Sequence, residues 1–141
     1  MSDGELHLIG YLGGRGVLFN AAQVEAVVDV DDVVPAPGAA PAVRGLTALR
    51  SRVVTVIDSW RILGLSAPAG GRHRAVITAV DGQLYAVLLD NMEDVAPMEV
   101  MPLTSGIAIG DRWAAVAAGS ALRDGEPMLV LDLPRLVSCA A

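Results

Sequence analysis

The sequence contains no lysine, and each of its ten basic residues is an arginine. Schiff-base enzymes, pyridoxal phosphate enzymes, P-loop nucleotide-binding proteins and protein kinases all depend on a lysine ammonium at their sites. The absence of lysine therefore excludes these four classes.

Cysteine and histidine are almost as scarce. Cys139 is the single cysteine, so the chain can form neither an internal disulfide nor a cysteine zinc site. The two histidines are His7 and His73, and His73 stands between two arginines whose charges oppose a bound cation. Neither histidine lies in a pattern typical of a nucleophile with its general base. We therefore predict that the protein is not an enzyme and holds neither a metal nor a cofactor.

Long apolar runs and an excess of positive charge are also missing. Sixteen acidic residues outnumber the ten arginines and give a net charge of −6, whereas proteins that bind nucleic acid or anionic membranes need clustered positive charge. The longest stretches without a charge have 11 residues, too few to cross a bilayer. The first residues are acidic and do not resemble a signal peptide. We expect a cytoplasmic globular domain without nucleic-acid binding or membrane insertion.

Alternation of strand-forming and turn-forming residues predicts a mostly β protein. Apolar runs flank Gly13-Gly14 and Asp81-Gly82, and pairs of this kind favour tight hairpin turns. Asp58 and Asp132 each precede a short predicted helix as caps. The predicted strands are 5–12, 15–20, 24–30, 43–49, 53–57, 75–80, 83–90, 92–98, 112–122 and 128–131, with a loop at 102–110.

An internal repeat suggests two similar halves. Residues 56–63 align with residues 130–137 with three identities in eight positions, and residues 16–19 pair with residues 82–85. The segment 66–71, Ser-Ala-Pro-Ala-Gly-Gly, is the best internal boundary. These features predict two subdomains, at 15–66 and 72–132, between which the terminal segments can be exchanged. With about five short strands each, they are small enough to close as SH3-like barrels.

The segment 44–58 resembles the signature of the CheW family of bacterial chemotaxis coupling proteins. That signature reads Gly-Val-x-Asn-Leu-Arg-Gly, followed by an apolar run with a proline and then by Asp. The likeness covers nearly the whole chain and includes the stretch 90–95. Three residues depart from the usual pattern, because Ala48, Ser51 and Thr55 stand where Asn, Gly and Pro are usual.

The resemblance implies two intertwined five-stranded SH3-like β-barrels with short capping helices and a hydrophobic groove between the barrels. It implies a non-enzymatic adaptor, monomeric when isolated, that links the cytoplasmic helical tips of chemoreceptors to the regulatory domain of a chemotaxis histidine kinase in signalling arrays. Val24, Gly45 and Arg50 match family positions associated with receptor contact. Apolar surface at Val24, close backbone approach at Gly45 and forked hydrogen bonds from Arg50 would each suit a docked helix.

Several interpretations stay open on the sequence. Arg50 is equally compatible with a structural role that holds the two barrels together. Trp60 fits core packing, whereas an exposed Trp60 would be a binding hot spot. The alternative functions are a diverged CheW-like module in a sensory pathway other than chemotaxis and a small β-barrel protein that binds an apolar ligand.

Overall fold

The computed structural model describes residues 4–103 and 109–140. These residues form ten β-strands, three short α-helices and a 3₁₀ helix at Ala21–Gln23. The strands are β1 Glu5–Leu12, β2 Arg15–Asn20, β3 Ala26–Val30, β4 Val43–Leu49, β5 Arg52–Ile57, β6 His73–Val80, β7 Gln83–Leu89, β8 Asn91–Met98, β9 Ala117–Arg123 and β10 Glu126–Leu131. The α-helices are α1 Ser59–Ile62, α2 Asp111–Val116 and α3 Leu133–Ser138.

The ten strands form two five-stranded sheets with the same internal order. The terminal sheet, from both ends of the chain, has the order β8-β1-β2-β10-β9, and the central sheet has the order β3-β6-β7-β5-β4. In each sheet one parallel pair, β2 with β10 or β5 with β7, joins two antiparallel halves. Each sheet curls like a half-barrel. The predicted fold class, mostly β with two five-stranded units and short helices, is confirmed.

The segment 66–71 does not separate the two sheets. Strands β3 to β5 precede it and β6 and β7 follow it, yet all five belong to the central sheet. A parallel pair such as β5 and β7 requires a long crossover connection, and this segment is part of that crossover. The expected subdomain bounds 15–66 and 72–132 therefore do not correspond to the two sheets.

The sequence repeat coincides with equivalent strand-helix units. Val56 on β5 lies opposite Ala86, and Val130 on β10 lies opposite Leu18, so the aligned segments are β5 with α1 and β10 with α3. The same registers make Leu18 equivalent to Ala86. The second expected pairing, of 16–19 with 82–85, is therefore out of register by two residues. Such a shift keeps every side chain on its face of the sheet, so the apolar pattern does not reveal it.

The two predicted hairpin turns are confirmed, whereas one predicted strand is partly wrong. The predicted turns at Gly13-Gly14 and Asp81-Gly82 have positive φ at both residues, which is the requirement of a type I′ turn. The predicted strand 112–122 is wrong in its first half, because α2 occupies Asp111–Val116 and buries Trp113 and Val116 on one face. The predicted loop 102–110 lies partly outside the described residues.

The main apolar core contains Trp60, which is completely buried. Its ring packs edge to face against His73 with 5.1 Å between ring centroids, and its Nε1–H donates to Asp90 Oδ1 at 2.8 Å. Trp60 is therefore a core residue, as the first of its two interpretations predicted.

No helix in the described part of the chain is long and apolar enough to cross a membrane.

Both predicted aspartates occupy the cap position of their helix, but only Asp58 caps through its side chain. The side chain of Asp58 accepts a hydrogen bond from the backbone N–H of Arg61 at 3.1 Å and thereby caps α1. Asp132 occupies the cap position of α3, but its side chain makes no capping bond. Gln23 supplies that bond instead, since its Oε1 accepts from the backbone N–H of Leu133 at 3.2 Å while its Nε2 donates to Asp132.

Candidate functional site

The hairpin of β4 and β5 carries two of the three predicted site residues, Gly45 and Arg50. β4 is the last strand in the order of the central sheet and pairs antiparallel with β5. Arg50 and Ser51 form the two-residue turn, with φ angles of 49° and 67°. Two positive φ angles define a type I′ turn, which Gly, Asn and Asp normally occupy.

Arg50 is exposed at the tip of this hairpin. Its side chain makes no hydrogen bond or ion pair with any residue that the structure describes. The interpretation of Arg50 as a structural link between the two barrels therefore finds no contact to support it in the described residues. The guanidinium keeps its full set of N–H donors, in the planar fork that matches carboxylates.

Gly45 is buried, and its close contact is with the chain itself. Its φ is 152°, and a Cβ at this position would clash with the carbonyl oxygen of Val34 and lie 2.8 Å from Val33 Cγ1. Val34 and Leu46 exchange two backbone hydrogen bonds of 2.8 Å across the same point. Glycine is thus required here so that residues 33–34 can lie close alongside β4 in an antiparallel bridge.

Val24 belongs to a segment other than this hairpin. It follows the 3₁₀ helix directly, and its backbone N–H donates to Ala21 O at 3.1 Å. It is half-buried and packs against the main core. β3, which begins two residues later, is the opposite end of the central sheet's strand order. The structure therefore places Gly45 and Arg50 on one hairpin and Val24 on the segment that leads into β3.

The sequence analysis missed the exposed apolar surface beside Arg50. Val53 is 69% exposed, Val34 67% and Leu46 38%, and Ala48 lies directly opposite Val53 in the β4–β5 pairing. We call these four residues the hairpin patch. Residues 53–57 are a strand as predicted, but the apolar run does not show that its side chains alternate between a covered and an exposed face, and Val53 lies on the exposed face.

The surface next to the hairpin patch is concave and basic. A shallow depression of about 470 Å³ is lined by Leu46, Val53 and Thr55, together with Arg52 and the β6–β7 turn. Arg52, like Arg50, has no hydrogen bond or ion pair with a described residue. Two free arginines thus border an apolar surface in a protein of net charge −6.

Asp90, which the sequence analysis did not single out, connects the two sheets. Its carboxylate accepts hydrogen bonds from the backbone N–H groups of Gly13 at 3.1 Å and Gly14 at 2.8 Å, and from Trp60 Nε1. The glycines form the turn of the terminal sheet, whereas Trp60 belongs to α1, directly after β5 of the central sheet. The sequence places an aspartate directly after a predicted strand and a tryptophan in a short predicted helix. Both features are too common to predict this contact.

Four ionisable groups among the described residues have perturbed pKa values, namely Tyr11, His73, Glu93 and Arg123. Burial lowers the pKa of His73 below 6.5, and the nearby Arg44 lowers it further. Hydrogen bonds from Arg123 and Tyr11 lower the pKa of Glu93. The described residues contain no group of three or more His, Cys, Asp or Glu placed to hold a metal ion. The hairpin, with its exposed apolar surface and two arginines unpaired among the described residues, is the candidate site.

Two five-stranded sheets with the same strand order and three short helices define a small, mostly β protein. A family model described as CheW-like domain matches residues 7–140, so the chain belongs to the CheW-like family. The suspected resemblance is confirmed.

Two individual proteins show the same relationship. Chemotaxis protein CheW of Thermotoga maritima is 22% identical over 125 residues, which are 87% of this chain and 81% of that protein. The crystal structure of the scaffolding protein TtCheW from Thermoanaerobacter tengcongensis matches with a TM-score of 0.80 at 19% identity, over 92% of this chain and 90% of that one. The second match confirms the fold.

Proposed function

We propose that this protein is a chemotaxis adaptor that couples the cytoplasmic tips of chemoreceptors to the regulatory domain of a histidine kinase. Membership of the CheW-like family supports a scaffold role in chemotaxis. The adaptor acts in the cytoplasm, catalyses no reaction and is a monomer in isolation. Its contribution to signalling is to bind both partners at once.

The observation that carries this proposal is the free guanidinium of Arg50. Arg50 stands at the tip of a hairpin with no partner among the described residues. Its turn has a strained backbone, because a residue other than Gly, Asn or Asp rarely adopts positive φ. Strain that the fold does not need often marks a functional position. Arg50 is therefore available to a partner.

The chemistry of the hairpin suits the helical tip of a receptor. The hairpin patch offers apolar surface to one face of an amphipathic helix. Arg50 and Arg52 stand beside it and can form charge-assisted hydrogen bonds with carboxylates or with the carbonyl groups at a helix C-terminus. Val24 is half-buried, so it adds to the receptor contact only through the exposed part of its side chain. Gly45 acts indirectly, because it allows residues 33–34 to lie alongside β4 and place Val34 in the patch.

Titration calorimetry tests the proposal directly. The protein is titrated with a receptor-tip fragment and, separately, with the regulatory domain of a chemotaxis kinase from the same genome. We expect both to bind, and we expect Arg50→Ala to weaken receptor binding at least about tenfold while it leaves kinase binding unchanged, because a hydrogen bond to a charged group contributes about 1.5–3 kcal/mol.

Arg72→Ala is the matched control. Arg72 is also a surface arginine, with a side chain 69% exposed and only a 3.6 Å ion pair to Asp29, and its loss should leave both affinities unchanged. If the folded wild-type protein binds neither partner at about 100 μM, which corresponds to less than about 5.5 kcal/mol of binding free energy, the proposed coupling role is wrong. An equal loss of receptor binding in both arginine variants would reject the specific role of Arg50.

A further inference from the structure

A polar cavity opens at the end of the terminal sheet that lies away from its hairpin turns. Its volume is about 690 Å³, within the usual range of small-molecule sites. The first residues of β1, the last residues of β2 and β10, and residues 98–101 line it. The proposed adaptor function assigns no role to this cavity.

His7 is the buried polar group that lines this cavity. The side chain is only 1% exposed, and its Nδ1 lies 2.7 Å from the backbone oxygen of Glu5. A carbonyl oxygen only accepts hydrogen bonds, so Nδ1 carries the hydrogen. In the neutral ring Nε2 is therefore an unprotonated acceptor.

The Nε2 atom of His7 has no partner among the described residues. No fully buried side-chain nitrogen or oxygen in that part of the chain lacks a hydrogen bond. Nε2 must therefore keep access to solvent, and the cavity that His7 lines provides it. A group that enters the cavity as a hydrogen-bond donor would meet an acceptor that the fold leaves unused.

The cavity is also acidic. Glu5, Glu99 and Asp132 line it, and no arginine does. Glu5 accepts a hydrogen bond from Asn20 at 2.7 Å, and Asp132 pairs with Arg135 at 3.3 Å and accepts from Gln23. Glu99 makes no hydrogen bond or ion pair with a described residue. Glu5 also lacks an ion pair with a described residue, so the unpaired negative charge at the cavity lies on Glu5 and Glu99, and of these two only Glu99 has no hydrogen bond either.

Apolar side chains complete the wall. Met98, Val100 and Met101 line the cavity beside Glu99. Methionine side chains adapt their shape to an apolar surface. The cavity thus combines an acceptor, a free carboxylate and an aliphatic wall, and this combination complements a cationic head on a short hydrocarbon chain.

We propose that this cavity binds a guanidinium or primary ammonium group on an aliphatic stem. The head group donates to His7 Nε2 and pairs with Glu99, and the stem lies on Met98 and Met101. Two sources offer this chemistry: a free small amine, and an arginine or lysine side chain of a partner protein.

The first experiment determines the tautomer of His7. Because the chain has only two histidines, long-range ¹H–¹⁵N spectra of the imidazole rings resolve both, and His73 is the internal reference. At about pH 8 we expect the neutral His7 ring to carry its hydrogen on Nδ1 and to leave Nε2 as an acceptor. A hydrogen on Nε2 would overturn the proposal.

The second experiment measures binding of butylguanidinium, with the uncharged butylurea as the matched control ligand. We expect butylguanidinium to shift the His7 ring signals and not those of His73, and butylurea to bind at least about tenfold more weakly. His7→Phe and Glu99→Gln should each weaken binding about tenfold or more. The matched controls His73→Phe and Glu126→Gln, the latter at the far end of β10, should leave it unchanged.

A capped Gly-Arg-Gly peptide distinguishes the two sources. Binding of the peptide as tightly as butylguanidinium assigns the cavity to a side chain of a partner, whereas binding of butylguanidinium alone assigns it to a free amine. Should His7→Phe fail to fold, Glu99→Gln and the tautomer of His7 still decide. Absence of binding by both probes at about 10 mM, a free energy near 2.7 kcal/mol, would reject the site.

Discussion

The Arg50-Ser51 turn is the most strained two-residue turn in the structure, and replacing Ser51 by glycine should stabilise the protein. Four hairpins among the described residues have positive φ at both turn residues. In three of them the second turn residue is a glycine: Gly14, Gly82 and Gly125. Ser51 adopts φ of 67° at the corresponding position of the fourth. The Cβ of a residue in this region approaches the backbone too closely.

The expected gain follows from two opposing terms. The left-handed conformation costs a residue with a Cβ about 1–2 kcal/mol, and glycine loses about 0.5–1 kcal/mol more backbone entropy on folding than such a residue. Ser51→Gly should therefore raise the free energy of unfolding by about 0.5–1 kcal/mol, or the melting temperature by about 2–5 °C for a domain of this size. Urea unfolding followed by tryptophan fluorescence measures the change, provided that the m value is unaltered.

The reciprocal variant provides the control. A Cβ on Gly82, the second residue of the β6–β7 turn at φ of 79°, would meet no atom within 4 Å, so Gly82→Ser introduces backbone strain without a steric clash. It should destabilise the protein by about the amount that Ser51→Gly gains. If Gly82→Ser is destabilising and Ser51→Gly is neutral or destabilising, the strain assigned to the Arg50-Ser51 turn is refuted.

Two further predictions concern Asp90, which connects the two sheets, and the loss of stability at acidic pH that His73 causes. Asp90→Asn removes one of the two carboxylate oxygens that accept hydrogen bonds from Gly13, Gly14 and Trp60, and should lower the free energy of unfolding by about 1–3 kcal/mol. The control Asp81→Asn, at an exposed turn residue, should change the free energy of unfolding by less than about 0.5 kcal/mol. Similar losses in both variants would contradict the role of Asp90. The pKa of His73 is lowered from 6.5 by burial and by Arg44, so the unfolded chain binds the proton more readily and stability falls as the pH drops below 6.5. The urea midpoint should consequently fall less between pH 7 and pH 5.5 in His73→Phe than in the wild type, and parallel pH profiles would exclude a contribution from this ring.

Local patterns predicted the fold wherever one residue determines the backbone. Gly13-Gly14 and Asp81-Gly82 define their turns, because positive φ at two successive positions admits few residue types. Asp58 was predictable as a cap from its place before α1. The division of the strands into sheets was not predictable in this way. The pairings of β3 with β6 and of β5 with β7 show that strands on both sides of residues 66–71 belong to one sheet, and these pairings depend on contacts distant in sequence.

The candidate site was predicted in part. The resemblance to a family pointed to Arg50, and the structure then showed that its guanidinium has no described intramolecular partner. The exposure of Val53 was missed because a β-branched run predicts a strand but not which of its two faces is covered. Gln23 was missed as the cap of α3 because Gln23 and Leu133, whose backbone N–H it accepts, lie on different elements far apart in the sequence. Contacts of this kind carry no local signal.

The equivalence of the two sheets separates what the fold requires from what binding requires. The registers that make Val56 equivalent to Val130 also make the Arg50-Ser51 turn equivalent to the turn at Asp124 and Gly125. Both turns have positive φ at both residues, yet one is followed by Arg52 and the other by Glu126. Since the same hairpin forms with either sign of charge, the fold does not need arginine at this position. The two arginines are therefore available for the proposed receptor contact, which the acidic turn of the terminal sheet could not make through the same charge-assisted hydrogen bonds.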